Sequence, residues 1–179
     1  MMSIKVFSDK IPITIENELL TINLYGSLVG SIVSGKLNTH QESIQLVSKI
    51  KDFGSVENFL YQSIGSFFMV VDSKEESRCY SSLVHHGFYY SRDDQRNILN
   101  ISEEESDLLT KETQIRDQVL KRIGRVAPGL ARFPLSSLFE EIERCPAGAF
   151  ISSSKDIPIN HYLSKVFKDT NLSEKNDLS

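Results

Sequence analysis

Apolar residues in this chain fall into short clusters separated by polar or glycine-rich punctuation, and the densest is the unbroken run Phe67-Phe68-Met69-Val70-Val71. Side chains alternate across a strand, so both faces of this one must meet apolar surroundings. The run predicts a strand covered on both sides. Asp72 to Ser77 reads as a solvated turn, and Cys79 to Leu83, Gly87 to Tyr90 and Ile98 to Ile101 as three more strands in an antiparallel meander. Ser102 and Glu105 have capping-box spacing, in which the hydroxyl satisfies a free helical N–H and the carboxylate reaches back. A helix is expected from Glu103 to Arg122, with Leu108, Ile115, Val119 and Ile123 on one face.

Upstream, Ser3 to Ser8 suits a first strand and Asp9-Lys10 a turn. Ile11 to Ile15, carrying Pro12, suits an edge strand, and Leu19 to Tyr25 has the period of two of a half-buried strand. Gly26 to Gly35 has no pattern that assigns it. Thr39 and Glu42 form a second capping-box pair for a helix running to Phe53, with Ile44, Val47, Ile50 and Phe53 as its stripe and Gly54 as its terminator. Val56, Phe59, Leu60 and Ile64 predict another helix leading into the central strand. Downstream, Gly124 to Phe133 reads as a loop, Ser137 and Glu140 as the cap of a short helix ending near Arg144, and Ala149 to Ser152 as the last strand. The pattern describes a mixed α+β domain over residues 1–155. Residues 156–179 form a C-terminal helix or linker with a frayed tail, since Thr170 to Ser179 has few apolar groups to offset the entropy of ordering.

At 179 residues the chain supports one sizeable core rather than two. A formal charge of −4, with the basic residues scattered, argues against a nucleic-acid partner. Arg116, Lys121, Arg122 and Arg125 read as a solvated helix face interrupted by Asp117. No apolar run is long enough to cross a bilayer, and the first residues lack a signal-peptide pattern, so a cytoplasmic location without membrane contact is expected. Cys79 and Cys145 are too isolated for a metal site or disulfide framework and read as buried thiols.

Four pieces of sequence carry a resemblance. They are Ile64-Gly65-Ser66-Phe67 with Asp72, then Gly87-Phe88-Tyr89-Tyr90, then Ile101-Ser102-Glu103 leading to Leu108-Leu109, and finally Ser137 to Phe150 with its Leu138-Phe139, Ile142 and Pro146-Ala147-Gly148. In this order and spacing the chain resembles the N-terminal, class II glutamine amidotransferase-like domain of the asparagine synthetase family. The resemblance implies an Ntn-type, four-layer αββα sandwich: two antiparallel sheets face to face with helices outside.

It also implies a site whose chemistry is missing. Family members split glutamine with a cysteine at the mature N-terminus, whose thiolate attacks the side-chain amide while the free α-amine serves as base. This chain begins Met1-Met2-Ser3 and has no cysteine before Cys79. The family's Asn-Gly-Glu loop is met by Asn23-Leu24-Tyr25-Gly26-Ser27, its Arg-Asp pair by Ser81-Ser82, and its early carboxylate-binding arginine by nothing, because the first arginine is Arg78. The expectation is a domain with no catalytic residue, cofactor or metal, retaining Asn23, Gly26 and Ser82 as a vestigial ligand pocket. Adjacent His85 and His86 point to opposite faces of a strand and cannot jointly hold a metal, so they read as surface or hairpin residues. Asp93-Asp94 reads as a turn, and Glu103-Glu104-Glu105 as acids in a helix's first turn, favoured there by the dipole.

The leading expectation is an inactive scaffold serving an ATP-dependent, amide-forming synthetase, as in relatives that resemble β-lactam synthetases or peptide macrocyclases. The Ser-Gly-Gly-x-Asp-Ser loop of the adenylating domain is not in this sequence. Its partner would be an adenylating synthetase chain or domain. Two alternatives stand beside it: an amino-acid binding module in the vacated glutamine pocket, and an amidohydrolase using Ser3 as nucleophile.

Overall fold

The computed structural model describes residues 2–116, 137–154 and 159–162. Its centre is the strand at Ser63–Asp72, here β5, counting β1 at Ser3–Phe7, β2 at Ile13–Glu16, β3 at Thr21–Val33 and β4 at Lys36–Asn38 before it. β6 (Ser77–Ser81), β7 (Phe88–Asp93), β8 (Ile98–Ser102), β9 (Ile142–Cys145), β10 (Ala149–Ser152) and β11 (Asn160–His161) follow. They form two sheets, ordered β11-β10-β6-β5-β3-β2 with β4 also on β3, and β1-β8-β7-β9. Helices α1 (His40–Val47) and α2 (Phe53–Gln62) pack on the larger sheet.

The doubly buried run behaves as its alternation requires. Phe67, Met69 and Val71 join a core with Val56, Phe59 and Leu60 of α2, while Phe68 and Val70 join a second core with Phe88, Tyr90, Leu99 and Ile101 of the smaller sheet. The sheets therefore face each other across one apolar layer, and the larger sheet carries its helices on the opposite side. Over the outer face of the smaller sheet lies a 3-10 turn at Glu105–Leu108; among the described residues no α-helix covers it.

Several expectations are corrected. Gly26 to Gly35 continues β3 as far as Val33 and then turns through Ser34 (φ 51°) and Gly35 (φ 75°) into β4, the two-residue hairpin that needs positive φ at both positions. The first helix stops at Val47 rather than Phe53, because Asp52 caps the second by accepting from the Ser55 N–H at 2.8 Å, which puts Gly54 inside α2. Ile64 belongs to β5, since α2 ends at Gln62.

Among the described residues the helices expected after Ser102 and Ser137 do not form, for one shared reason. Glu105 Oε1 accepts from the Leu138 N–H at 2.9 Å and from the Ser137 hydroxyl, so the acid of one box and the hydroxyl of the other are joined across the chain. Ser102 instead donates to Asp107 at 2.5 Å. Residues 142–145 pair with β7 as β9, Ile115 bridges Phe139, and Arg116 donates to the Phe139, Glu140 and Ile142 carbonyls instead of lining a helix. Val119, Ile123, Lys121, Arg122, Arg125 and the loop at 124–133 lie outside the described residues.

The sheets are not purely antiparallel: β1 runs parallel to β8, with Ser3 opposite Ile98. No hairpin constrains that pair, because β2 to β7 lie between β1 and β8 in the chain. Likewise β6 stays with β5 while β7 and β8 belong to the other sheet, so the expected meander is split by a crossover at residues 82–87. Residues 160–162 pack on the larger sheet. β11 pairs with β10, and Tyr162 is buried with its hydroxyl donating to the Ser81 carbonyl at 2.8 Å. The tail at 170–179 lies outside the described residues.

Candidate functional site

Asn23 and Gly26 lie three positions apart on β3, on one side of β5, and Ser82 follows β6 on the other. Asn23 stands opposite Val70, Gly26 opposite Phe67, and Ser82 meets β5 from the other side. The Asn23 amide oxygen and the Ser82 hydroxyl are already engaged. The Asn23 amide oxygen accepts from the Thr14 hydroxyl at 2.8 Å. Ser82 donates to the Gly65 carbonyl at 2.9 Å and accepts from the Phe67 N–H at 3.2 Å, which fastens the end of β6 to β5. Gly26 has φ 109°, and a Cβ there would lie 2.6 Å from the Ser66 carbonyl oxygen, so its lack of a side chain serves close strand packing.

The sulfur chemistry is equally committed to packing. Cys79 and Cys145 both lie in the layer between the sheets, and burial pushes both thiols up, strongly for Cys79. A thiolate nucleophile is disfavoured at either position. At the start of β1, Met2 is fully buried in the same layer, its N–H bonded to the Ser153 carbonyl at 3.3 Å and its sulfur 3.6 Å from an Arg92 Nη. Ser3 is exposed instead, with its backbone N–H donating to the Asn97 carbonyl at 3.0 Å. Among the described residues, no group of three or more His, Cys, Asp or Glu could hold a metal ion.

A different polar constellation was hidden in the sequence. Lys10 follows β1, His85 lies on the crossover between β6 and β7, and Glu103 follows β8; topology brings them together. Lys10 Nζ donates to both Glu103 carboxylate oxygens at 2.8 and 2.7 Å, and His85 Nε2 lies 3.0 Å from Oε1. On the other edge of the ring, Nδ1 accepts from the Gly87 N–H at 3.1 Å and has the Ser81 hydroxyl at 3.5 Å. An N–H pointing at Nδ1 requires a lone pair there, so the proton sits on Nε2 and is donated to Glu103.

His85 is thus buried, not the surface residue that its pairing with His86 suggested; only His86 is exposed. Burial holds the imidazole below its ordinary value of 6.5 against the opposing pull of Glu103. Burial works against the Glu103 charge as well, but the bonds from Lys10 and His85 outweigh it and keep the carboxyl below its ordinary value. Glu103 does not sit in a helix's first turn; it joins two crossovers. His85 and His86 lie in the bend between β6 and β7 rather than on a strand, so no alternation marks which of the two turns inward.

Serine, imidazole and carboxylate in a row have the order of a hydrolytic triad. Here, however, Ser81 is fully buried at the inner end of the row and Glu103 is at the outer end. The adjoining open cavity, about 670 Å³, reaches Glu103 but neither His85 nor Ser81, and Asp9, Glu104 and Asp107 line it with Lys10. The arrangement can hold a proton and tie segments together. It offers no reachable nucleophile.

No protein-family model matches the chain, and no curated protein matches it. No helix among the described residues is long and apolar enough to cross a membrane.

Proposed function

We propose that this chain is a catalytically inactive, glutaminase-like domain of the Ntn type, acting in the cytoplasm as scaffold or partner of an asparagine-synthetase-like, ATP-dependent amide-forming enzyme. The observation that carries the reading is the fate of its sulfur: both cysteines of the chain are buried between two facing sheets, where burial pushes their thiols up and disfavours a thiolate nucleophile. The stacked sheets, the helices on the larger one and the buried thioether of Met2 at the start of β1 support the same reading. So does the use of Asn23, Gly26 and Ser82 in strand-to-strand bonds and packing rather than in an open pocket. Scaffolding needs only a stable surface, and fold alone does not supply catalysis.

Incubation of the purified chain with glutamine should release no ammonia above the buffer control, and release at a turnover abolished by a thiol reagent would overturn the inactive reading. Affinity capture from the native host should retain an activity that exchanges pyrophosphate into ATP in the presence of a carboxylic acid. An eluate without that exchange, from cells that contain it, would overturn the partner reading.

A further inference from the structure

We propose that His85 is a proton-sensitive latch on the crossover between the two sheets, holding residues 82–87 closed only while its ring is neutral. The claim rests on what meets the ring. From β6 comes the Ser81 hydroxyl, from β5 the Phe68 ring at 5.8 Å, from the crossover itself the Gly87 N–H, and from the end of β8 the Glu103 carboxylate. The charged and titratable groups facing it are Glu103, Lys10 through Glu103, and the neighbouring His86.

Glu103 alone favours an imidazolium, and Lys10 already occupies both its oxygens. Lys10, His86 and burial all oppose a second cation at this point. The decisive contact is at Nδ1. A proton added there faces the Gly87 N–H, so a hydrogen bond becomes a donor–donor clash. Gly87, at φ 90°, lies against the Cys145 carbonyl of β9, where even a Cβ would come within 2.3 Å, which leaves the crossover little room to adjust in place. Relief comes from moving the crossover, and that movement loosens the contact of Phe68 with Phe88 beneath it.

The 179-residue chain tests this by imidazole nitrogen NMR and amide exchange across pH. At neutral pH the His85 ring should show the Nε2–H tautomer, and its midpoint should fall below 6.5. The protection factor of the Gly87 amide should drop about tenfold for each pH unit below that midpoint, as expected when closing requires the neutral ring. His85→Asn keeps an acceptor near Nδ1 without a titrating group, and its Gly87 protection should stay flat over the same range. A neutral-pH Nδ1–H tautomer, a midpoint at or above the ordinary value, or an unchanged protection step in the asparagine variant would overturn the latch. If that variant does not fold, the wild-type tautomer and midpoint decide the matter alone.

Discussion

Phe67 and Phe68 are neighbours in the chain, both wholly buried, yet they belong to different cores: Phe67 packs under the helices, and Phe68 stacks on Tyr25 at 4.7 Å between the sheets. Each deletion to alanine should cost about 3–5 kcal/mol by urea denaturation, the range for losing a buried aromatic ring. The two variants should differ in a second readout. Phe68→Ala opens the layer that holds Cys79 and Cys145 and should speed their reaction with an aromatic disulfide reagent. Phe67→Ala should leave native thiol reactivity near wild type. Equal acceleration in both would mean that the two layers are not independent.

Gly65 and Gly87 are pinned by both conformation and space. Gly65 has φ 147° with the Ser27 carbonyl 2.2 Å from a would-be Cβ, and Gly87 has φ 90° with the Cys145 carbonyl at 2.3 Å. Gly35 has φ 75° but nothing within 4 Å. Alanine at Gly35 should therefore cost only the backbone term, about 1 kcal/mol, and alanine at Gly65 or Gly87 clearly more, about 3 kcal/mol or beyond. Thermal melts of the three variants give the order, and an equal loss at all three would refute the packing argument.

Arg78 lies between two aromatic rings, 4.1 Å from the Phe53 centroid and 5.0 Å from that of Phe150, while an Nη donates to Glu76 at 2.8 Å. It thereby ties α2, β6 and β10 with one side chain. Lysine preserves the charge but loses the flat face and the fork, so Arg78→Lys should lose about 1–2 kcal/mol in chemical denaturation. A lysine variant as stable as wild type would show that charge alone matters here.

Sequence reasoning succeeded where one local pattern decided the outcome and failed where distant partners did. The alternation at Phe67 to Val71 specifies two buried faces, and the Thr39–Glu42 capping box forms as its spacing predicts, because each is settled within a few residues. β3 was obscured beyond Tyr25 because glycines and serines interrupt its apolar signal and a bulge at Leu28/Gly30 breaks the alternation. The caps at Ser102 and Ser137 failed through a bond between Glu105 and residues more than thirty positions away. Lys10, His85 and Glu103 form their relay only after two sheets are stacked, and nothing in their local sequence announces it.

The Lys10–Glu103–His85 relay makes a specific statement about acid stability. The Glu103 carboxyl is held below its ordinary value of 4.5, so the unfolded chain takes up its proton first on acidification. Its contribution is complete above the ordinary value and is lost as pH falls through the folded one. Glu103→Gln should therefore be less stable than wild type by about 1–2 kcal/mol near neutrality, discounted for the half-exposed Lys10 end of the pair. That gap should close below about pH 4.5. The same substitution removes the one group that favours a charged His85, so the histidine midpoint should move further down. Denaturation midpoints measured from pH 3 to 8, with the imidazole titration alongside, check both signs. A stability gap that stays constant to the acid limit, or a histidine midpoint that rises in the glutamine variant, would show that Glu103 acts through packing rather than charge.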